Sequence, residues 1–228
     1  MKTFGIIELT EASPEQSFIE PITLEAAKSF LRITDSGWED PYRDEMIVGF
    51  ISAAREMAEI LQGRDLIVKQ YDLSMDLMLG YQGMMDPGFL TRSYAVYDFT
   101  GVYEIALRSP LVSVDLFKYR TSDGNYTEMV EGDDYIADLA RGMVVPPFNK
   151  SWPIFDPWPT SSILIRFTAG YPMDHPFWSN AGQRLIVGMK MLIEQWYDER
   201  LPFVAGSVNE LPYAVSALLG YGAKNRVF

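Results

Sequence analysis

The chain of 228 residues contains no cysteine and only one histidine, His175. Disulfides and thiolate metal sites are therefore excluded, and this composition fits synthesis in a reducing, cytosolic environment. No apolar run is long enough to cross a bilayer, so we expect neither a transmembrane helix nor a membrane partner. Near the start, Glu8 ends a very short apolar stretch, so no signal peptide is expected.

Motifs that usually carry catalysis are absent as well. The sequence has no P-loop, no dinucleotide-binding glycine motif, no zinc-protease motif and no nucleophile elbow. His175 follows Asp174 in a proline-flanked loop, where adjacent side chains rarely meet, and we interpret it as a structural loop residue. Asp123 and Asn125 flank Gly124 as in a hairpin turn, without the spaced ligands of a calcium loop. We predict a non-enzymatic protein without catalytic residues, cofactor or metal.

A carbohydrate site is an alternative of a different class. Trp152 and Trp158 lie in a proline-rich stretch and are able to stack on sugar rings, while Glu194 and Asp198 form a carboxylate pair at helical spacing. A glycosidase places two carboxylates across a cleft, one of them in an apolar setting. The competing interpretation is a stiff tryptophan loop packed over the strand-rich region.

The contents of 48% hydrophobic and 14% aromatic residues indicate a folded core. The net charge of −12 limits the possible partners. An acidic surface repels phosphate backbones, and the basic residues are scattered rather than clustered in a stripe. The charge fits either plain solubility or a protein that stays near DNA without binding it.

Hydrophobic periodicity divides the chain into helical and strand-like regions. A helix capped by Thr23 precedes a longer one from about Tyr42 to Gln62, which Gly63 is suited to end. From Ile67 to Tyr171 the pattern is strand-like, with a hairpin at residues 122–125. Helical patterns return at 180–200 and at 212–219, where Pro212 occupies a tolerated first-turn position.

The predicted fold class is α+β: a four-helix frame with an antiparallel β-rich subdomain inserted between the second and third helices. The predicted boundaries are an N-terminal arm at 1–20, the frame at 21–66 and 173–220, the insert at 67–172, and a C-terminal tail at 221–228. Residues Gly80–Ser93 are expected to form a long projecting loop.

Several segments, taken in order, resemble the phage head–tail connector (adaptor, or head-completion) family in its long form with a β-rich insert. The resemblance spans nearly all of residues 22–222. The segments that carry it are Ile22–Ile33, Ile51–Arg64 with its Gln-Gly-Arg end, Ser109–Val114, Asp134–Asp138, Ser151–Pro153, Ile165–Tyr171, Glu194–Arg200 and Glu210–Leu219. The sequence departs from the family after the last helix, where Gly-Tyr-Gly replaces the usual Pro-Tyr-Arg.

The resemblance implies a structural virion protein at the head–tail interface. Such a subunit works in a homo-oligomeric ring, expected to be a dodecamer, between the portal protein and a stopper or tail-terminator protein. DNA passes through the ring without specific binding. Another neck or tail-completion (stopper) protein is the alternative within the same class.

In similar proteins the C-terminal segment reaches into the portal. The positions expected to do so here are Tyr221, Lys224, Asn225, Arg226, Val227 and Phe228. Aromatic ends with basic residues between them suit an anchor in an apolar, acid-rimmed groove. A frayed terminus is the competing interpretation.

Overall fold

The computed structural model describes residues 7–11, 19–33, 41–75, 95–97, 103–150, 152, 158, 161–199 and 213–221. These residues form two compact units. The β unit is built from described residues within 1–17 and 68–170, and the helical unit from those within 18–67 and 171–228. Helices and antiparallel sheets occur in separate units, which confirms the α+β class.

The helical unit contains the helices α1 (Leu24–Phe30), α2 (Pro41–Gln62), α3 (Pro176–Ser179), α4 (Gly182–Glu199) and α5 (Tyr213–Gly220). The predicted cap is confirmed, because the Thr23 hydroxyl accepts a hydrogen bond from the Ala26 amide at 3.2 Å. Gly63 has a φ of 66° at the end of α2, which confirms its predicted role. None of the helices in the described part of the chain is long and apolar enough to cross a membrane.

The core of the helical unit joins α2, α4 and α5. Its buried side chains share helical spacing and include Ile47, Ile51, Ala54, Ala58, Leu185, Met189, Leu192, Ile193, Val215 and Leu219. Gly188 permits the close approach of α5, because a Cβ there would lie 2.7 Å from Leu219 Cδ2. A larger residue at this position would force the Leu219 side chain or α5 itself to shift.

The β unit contains nine strands among the described residues. They are β1 (Ile7–Glu11), β2 (Lys69–Met75), β3 (Ala95–Tyr97), β4 (Tyr103–Ala106), β5 (Leu111–Arg120), β6 (Tyr126–Glu128), β7 (Ile136–Asp138), β8 (Met143–Val145) and β9 (Ile163–Ala169). One sheet has the order β1-β2-β9-β5-β6 and the other β3-β4-β8-β7. All strand pairings within these sheets are antiparallel.

Alternating burial places one face of the larger sheet in a shared core. Both β2 and β9 bury every second side chain. One hydrophobic cluster contains Leu73, Phe117, Ile165 and Phe167 from the larger sheet together with Val144 from the smaller one. The two sheets therefore share a single apolar core.

Three short elements differ from the sequence-based prediction. Residues 1–20 were expected to form an arm, but Ile7–Glu11 forms β1. This strand pairs antiparallel with residues 71–75 of β2. Its run of five residues is too short to give a clear period. The helix α3 and the strand β3 were also not predicted. The expected loop at Gly80–Ser93 lies outside the described residues.

Candidate functional site

The start of the predicted C-terminal tail is held by a buried amide of α2. Gln62 is fully buried, and its Nε2 donates to the carbonyl oxygens of Leu219 and Tyr221, the latter at 3.3 Å. These carbonyls lie at the end of α5, where backbone carbonyls have no amide of a following turn to bond to. Gln62 therefore fixes the point at which the chain leaves α5.

Arg64 extends this contact to the segment that enters the second half of the helical unit. Its guanidinium donates to the Gln62 side-chain oxygen at 2.6 Å and to the Tyr171 hydroxyl at 3.1 Å. The Tyr171 ring stacks on Phe177 with centroids 4.0 Å apart, and the Arg64 guanidinium lies 5.2 Å from the Phe177 centroid. The polar and aromatic contacts together orient Arg64.

A second arginine lies against Tyr221 itself. The Arg184 guanidinium is 5.1 Å from the Tyr221 ring centroid, and its buried Nε has no hydrogen-bond acceptor in the part of the chain that the structure describes. Burial, followed by the nearby charge of Arg64, lowers the pKa of Arg184. We call Gln62, Arg64, Tyr171, Arg184 and Tyr221 the C-terminal cluster.

The predicted tail residues divide into one that the structure describes and five that it does not. Tyr221 is 74% exposed and belongs to the C-terminal cluster. Lys224, Asn225, Arg226, Val227 and Phe228 lie outside the described residues, so their contact with a portal stays a prediction. Gln62 and Arg64 belong to the Gln-Gly-Arg motif, but sequence reasoning gave them no role. Arg184 has no local signal, because α4 brings it to Tyr221 only in the folded chain.

Both tryptophans of the carbohydrate alternative are engaged by the β unit. Trp158 Nε1 donates to the Thr121 carbonyl at 2.9 Å, and its ring lies 5.1 Å from the Arg120 guanidinium. Trp152 packs against Phe117 with centroids 5.7 Å apart. These contacts favour the interpretation of a loop packed over strands, since a sugar platform needs a ring face open to solvent.

The single histidine caps a helix. His175 Nδ1 accepts a hydrogen bond from the Phe177 amide at 3.1 Å, at the start of α3. Its ring lies 5.1 Å from Tyr171 and tilts against it. The structure thus gives His175 a structural role, which confirms that interpretation.

The acidic turn between β5 and β6 is also structural. The Asp123 carboxylate accepts from the Thr121 hydroxyl at 2.5 Å and from the Asn125 amide and side chain at 3.1 and 2.7 Å. These hydrogen bonds lower its pKa to about 2. Among the described residues, no group of three histidine, aspartate or glutamate side chains is placed to hold a metal ion.

Solved structures with a similar fold come from phage-like particles. A chain in the neck of the empty gene transfer agent (GTA) particle, computed with C6 symmetry, matches with a TM-score of 0.61 and 20% identity, covering 98% of this chain and 97% of that one. A chain in the virion of the native GTA particle matches with a TM-score of 0.61 and 18% identity, covering 96% and 97%. A chain in the neck of the native GTA particle, computed with C12 symmetry, matches with a TM-score of 0.54 and 18% identity, covering 98% of this chain and 97% of that one.

No protein-family model and no curated protein matches this sequence. The likeness to the GTA chains is therefore one of fold. Because it covers nearly the full length on both sides, it includes the helical unit and the β unit alike.

Proposed function

We propose that this chain is a head–tail connector (adaptor) subunit of a phage or phage-like particle. Its subunits form a ring in the neck, between the portal protein and a stopper or tail-terminator protein, and carry out no reaction. The observation that carries the proposal is the full-length fold similarity to a chain in a particle neck. The ordered resemblance to the connector family, found in the residues alone, supports the same role.

Two further observations support a ring around DNA. The similar necks were computed with C6 and C12 symmetry, which fits a ring of repeated subunits and the expected dodecamer. The net charge of −12 fits a channel through which DNA slides without adhering. The ring is made in the host cytoplasm and stays in the virion.

The C-terminal cluster supports a defined exit for the portal-contacting tail. Gln62 and Arg184 hold Tyr221 at the end of α5, which gives the tail a fixed starting point. Lys224, Arg226 and Phe228 then supply two charges and an aromatic ring to a portal groove.

Deleting Lys224–Phe228 tests this role while keeping the C-terminal cluster. We expect the truncated protein to fold with an unchanged melting temperature, and particles assembled with it to be DNA-filled heads without tails when viewed by electron microscopy. Lys150→Ala is the matched control, because it removes an exposed charge of the β unit and should leave tails attached.

Two outcomes would count against the proposal at different levels. Normal tails on particles with the truncated protein would refute the role of the tail residues alone. Normal tails on particles that lack the whole protein would refute the adaptor role. Finding the chain at the tail-side end of the neck, away from the portal, would favour the stopper alternative.

A further inference from the structure

One side of α2 is turned away from the core of the helical unit. We call it the outward face; its exposed residues share one side of the helix and are Tyr42, Glu45, Val48, Gly49, Ala53, Glu56 and Ile60. Tyr42 is 84% exposed and Ile60 is 59% exposed, near the two ends of the helix. Because Gly49 and Ala53 lie between these exposed side chains, another surface can approach this side of α2 closely.

A groove of about 570 Å³ lies elsewhere on the same unit, between α1 and α4. Its lining residues are Ala26, Ser29, Phe30, Arg32, Lys190 and Glu194. The Lys190 ammonium lies 5.8 Å from the centroid of the Phe30 ring, which is 37% exposed. The groove is thus lined by one aromatic ring, two positively charged side chains and one carboxylate.

The two surfaces are complementary in charge. The outward face carries Glu45 and Glu56 beside its apolar residues, whereas Arg32 and Lys190 give the groove a net positive charge. If the outward faces of two copies packed against each other, the glutamates of one copy would lie near those of the other. The like charges would repel, so this contact is unfavourable. A contact between unlike surfaces avoids this repulsion, and it gives a closed ring when the rotation between neighbouring copies is a whole fraction of a turn.

We propose that the outward face of α2 docks into the α1–α4 groove of the next copy of this chain. The inference rests on the adaptor role, because it specifies how neighbouring subunits of that ring meet. The Tyr42 ring serves as the apolar anchor beside Phe30, and Glu45 pairs with Lys190. Gly49 and Ala53 let the neighbour's helices approach closely.

The absence of cysteine from the chain permits a direct crosslinking test. Ala53→Cys and Ser29→Cys place one thiol on each surface with little change in volume. In necks isolated from particles, the double variant treated with a short bismaleimide should give a ladder of trimers and larger species on a denaturing gel. Either single variant can give dimers at most, because a ladder needs two thiols per subunit.

The matched control pairs Ala53→Cys with Tyr213→Cys, an 89% exposed position on α5 outside both surfaces. An equal ladder from this control, or no ladder from the test variant in necks that carry tails, would overturn the inference while leaving the adaptor role intact. If the chain is missing from the neck altogether, the adaptor role fails and this inference falls with it.

Charge exchange gives a second test with the purified protein. Glu45→Lys and Lys190→Glu should each raise the concentration needed for ring assembly roughly tenfold, since each brings like charges together. An equimolar mixture of the two should assemble nearly as well as the unaltered protein, because alternating copies restore opposite charges at every contact. Mass photometry measures the rings, and no recovery in the mixture would contradict the proposed pairing.

Discussion

The two units differ in where they place an arginine–carboxylate pair. In the helical unit, Arg55 is 4% exposed and bonds to Glu20 at 3.0 Å and to the equally buried Glu59 at 2.9 Å. In the β unit, Arg166 bonds to Asp72 at 2.7 Å, but both side chains are more than a third exposed. The first pair is shielded from water, whereas the second is screened by it.

This difference follows from how each unit is built. The strands of the β unit satisfy their backbone groups in ladders and bury an apolar, aromatic core around Phe117 and Phe167. The helical unit combines segments that are far apart in the chain, and polar side chains connect them. Arg55 and Ser52 of α2 hold Glu20 of the segment before α1, and Gln62 holds the end of α5. Buried polar groups thus set the arrangement of the helices.

The largest expected effect comes from breaking the buried pair. Arg55→Met leaves the carboxylates of Glu20 and Glu59 without their cation, so we expect the free energy of unfolding to fall by about 3–5 kcal/mol. Arg166→Met, the matched change in the β unit, should cost less than about 1 kcal/mol. Denaturant titration of both variants measures the difference.

The pKa of Arg55 agrees with a strong pair. Burial alone would lower that pKa, but the charges of Glu59 and Glu20 outweigh it and raise it on balance. Equal losses in the two variants would mean that burial adds nothing to this contact, and the comparison between the units would be wrong.

The second expected effect concerns the C-terminal cluster. Gln62→Leu keeps the volume but leaves the carbonyls of Leu219 and Tyr221 and the guanidinium of Arg64 without their shared partner. We expect a loss of about 1–3 kcal/mol in the free energy of unfolding. Because α5 is the element that Gln62 holds, hydrogen exchange of its amides should quicken more than that of α4.

Gln70→Leu is the control for this variant. Gln70 also bonds through its amide, to Asp115 at 3.0 Å, but this hydrogen bond of the β unit is exposed to solvent. It should leave exchange in α5 unchanged. Unaltered α5 exchange in Gln62→Leu would contradict the view that this amide fixes the exit of the tail.

The sequence predicted the elements whose period is long and clear. The helix over Tyr42–Gln62 and the strand-like patterns around Leu73, Phe117 and Ile165 are found where expected. In the helix and in the strands around Leu73 and Ile165, buried positions recur often enough to fix both the period and the buried face. The α+β class follows from their order along the chain.

What the sequence could not predict depends on contacts between distant segments. The strand β1 is defined by pairing with β2, and five residues carry too little periodicity to reveal it. The contact of Arg184 with Tyr221 and the buried bonds of Glu20 to Arg55 join residues that no local rule connects. Carboxylates and arginines are common on surfaces, so their residue types alone gave no sign of burial.

The smallest expected effect is that of acid on the exposed turn of the β unit, where protonation of a single carboxylate lowers the stability. Asp123 has a pKa of about 2 in the folded protein, below its ordinary value of 3.8, because it accepts hydrogen bonds from Thr121 and Asn125. Its contribution to stability is therefore complete above about pH 4 and is lost as the pH falls toward 2. Asp123→Asn should remove this part of the acid dependence. Urea titrations of the variant and the unaltered protein between pH 2 and 5 measure it, and parallel curves would show that the turn carboxylate contributes nothing.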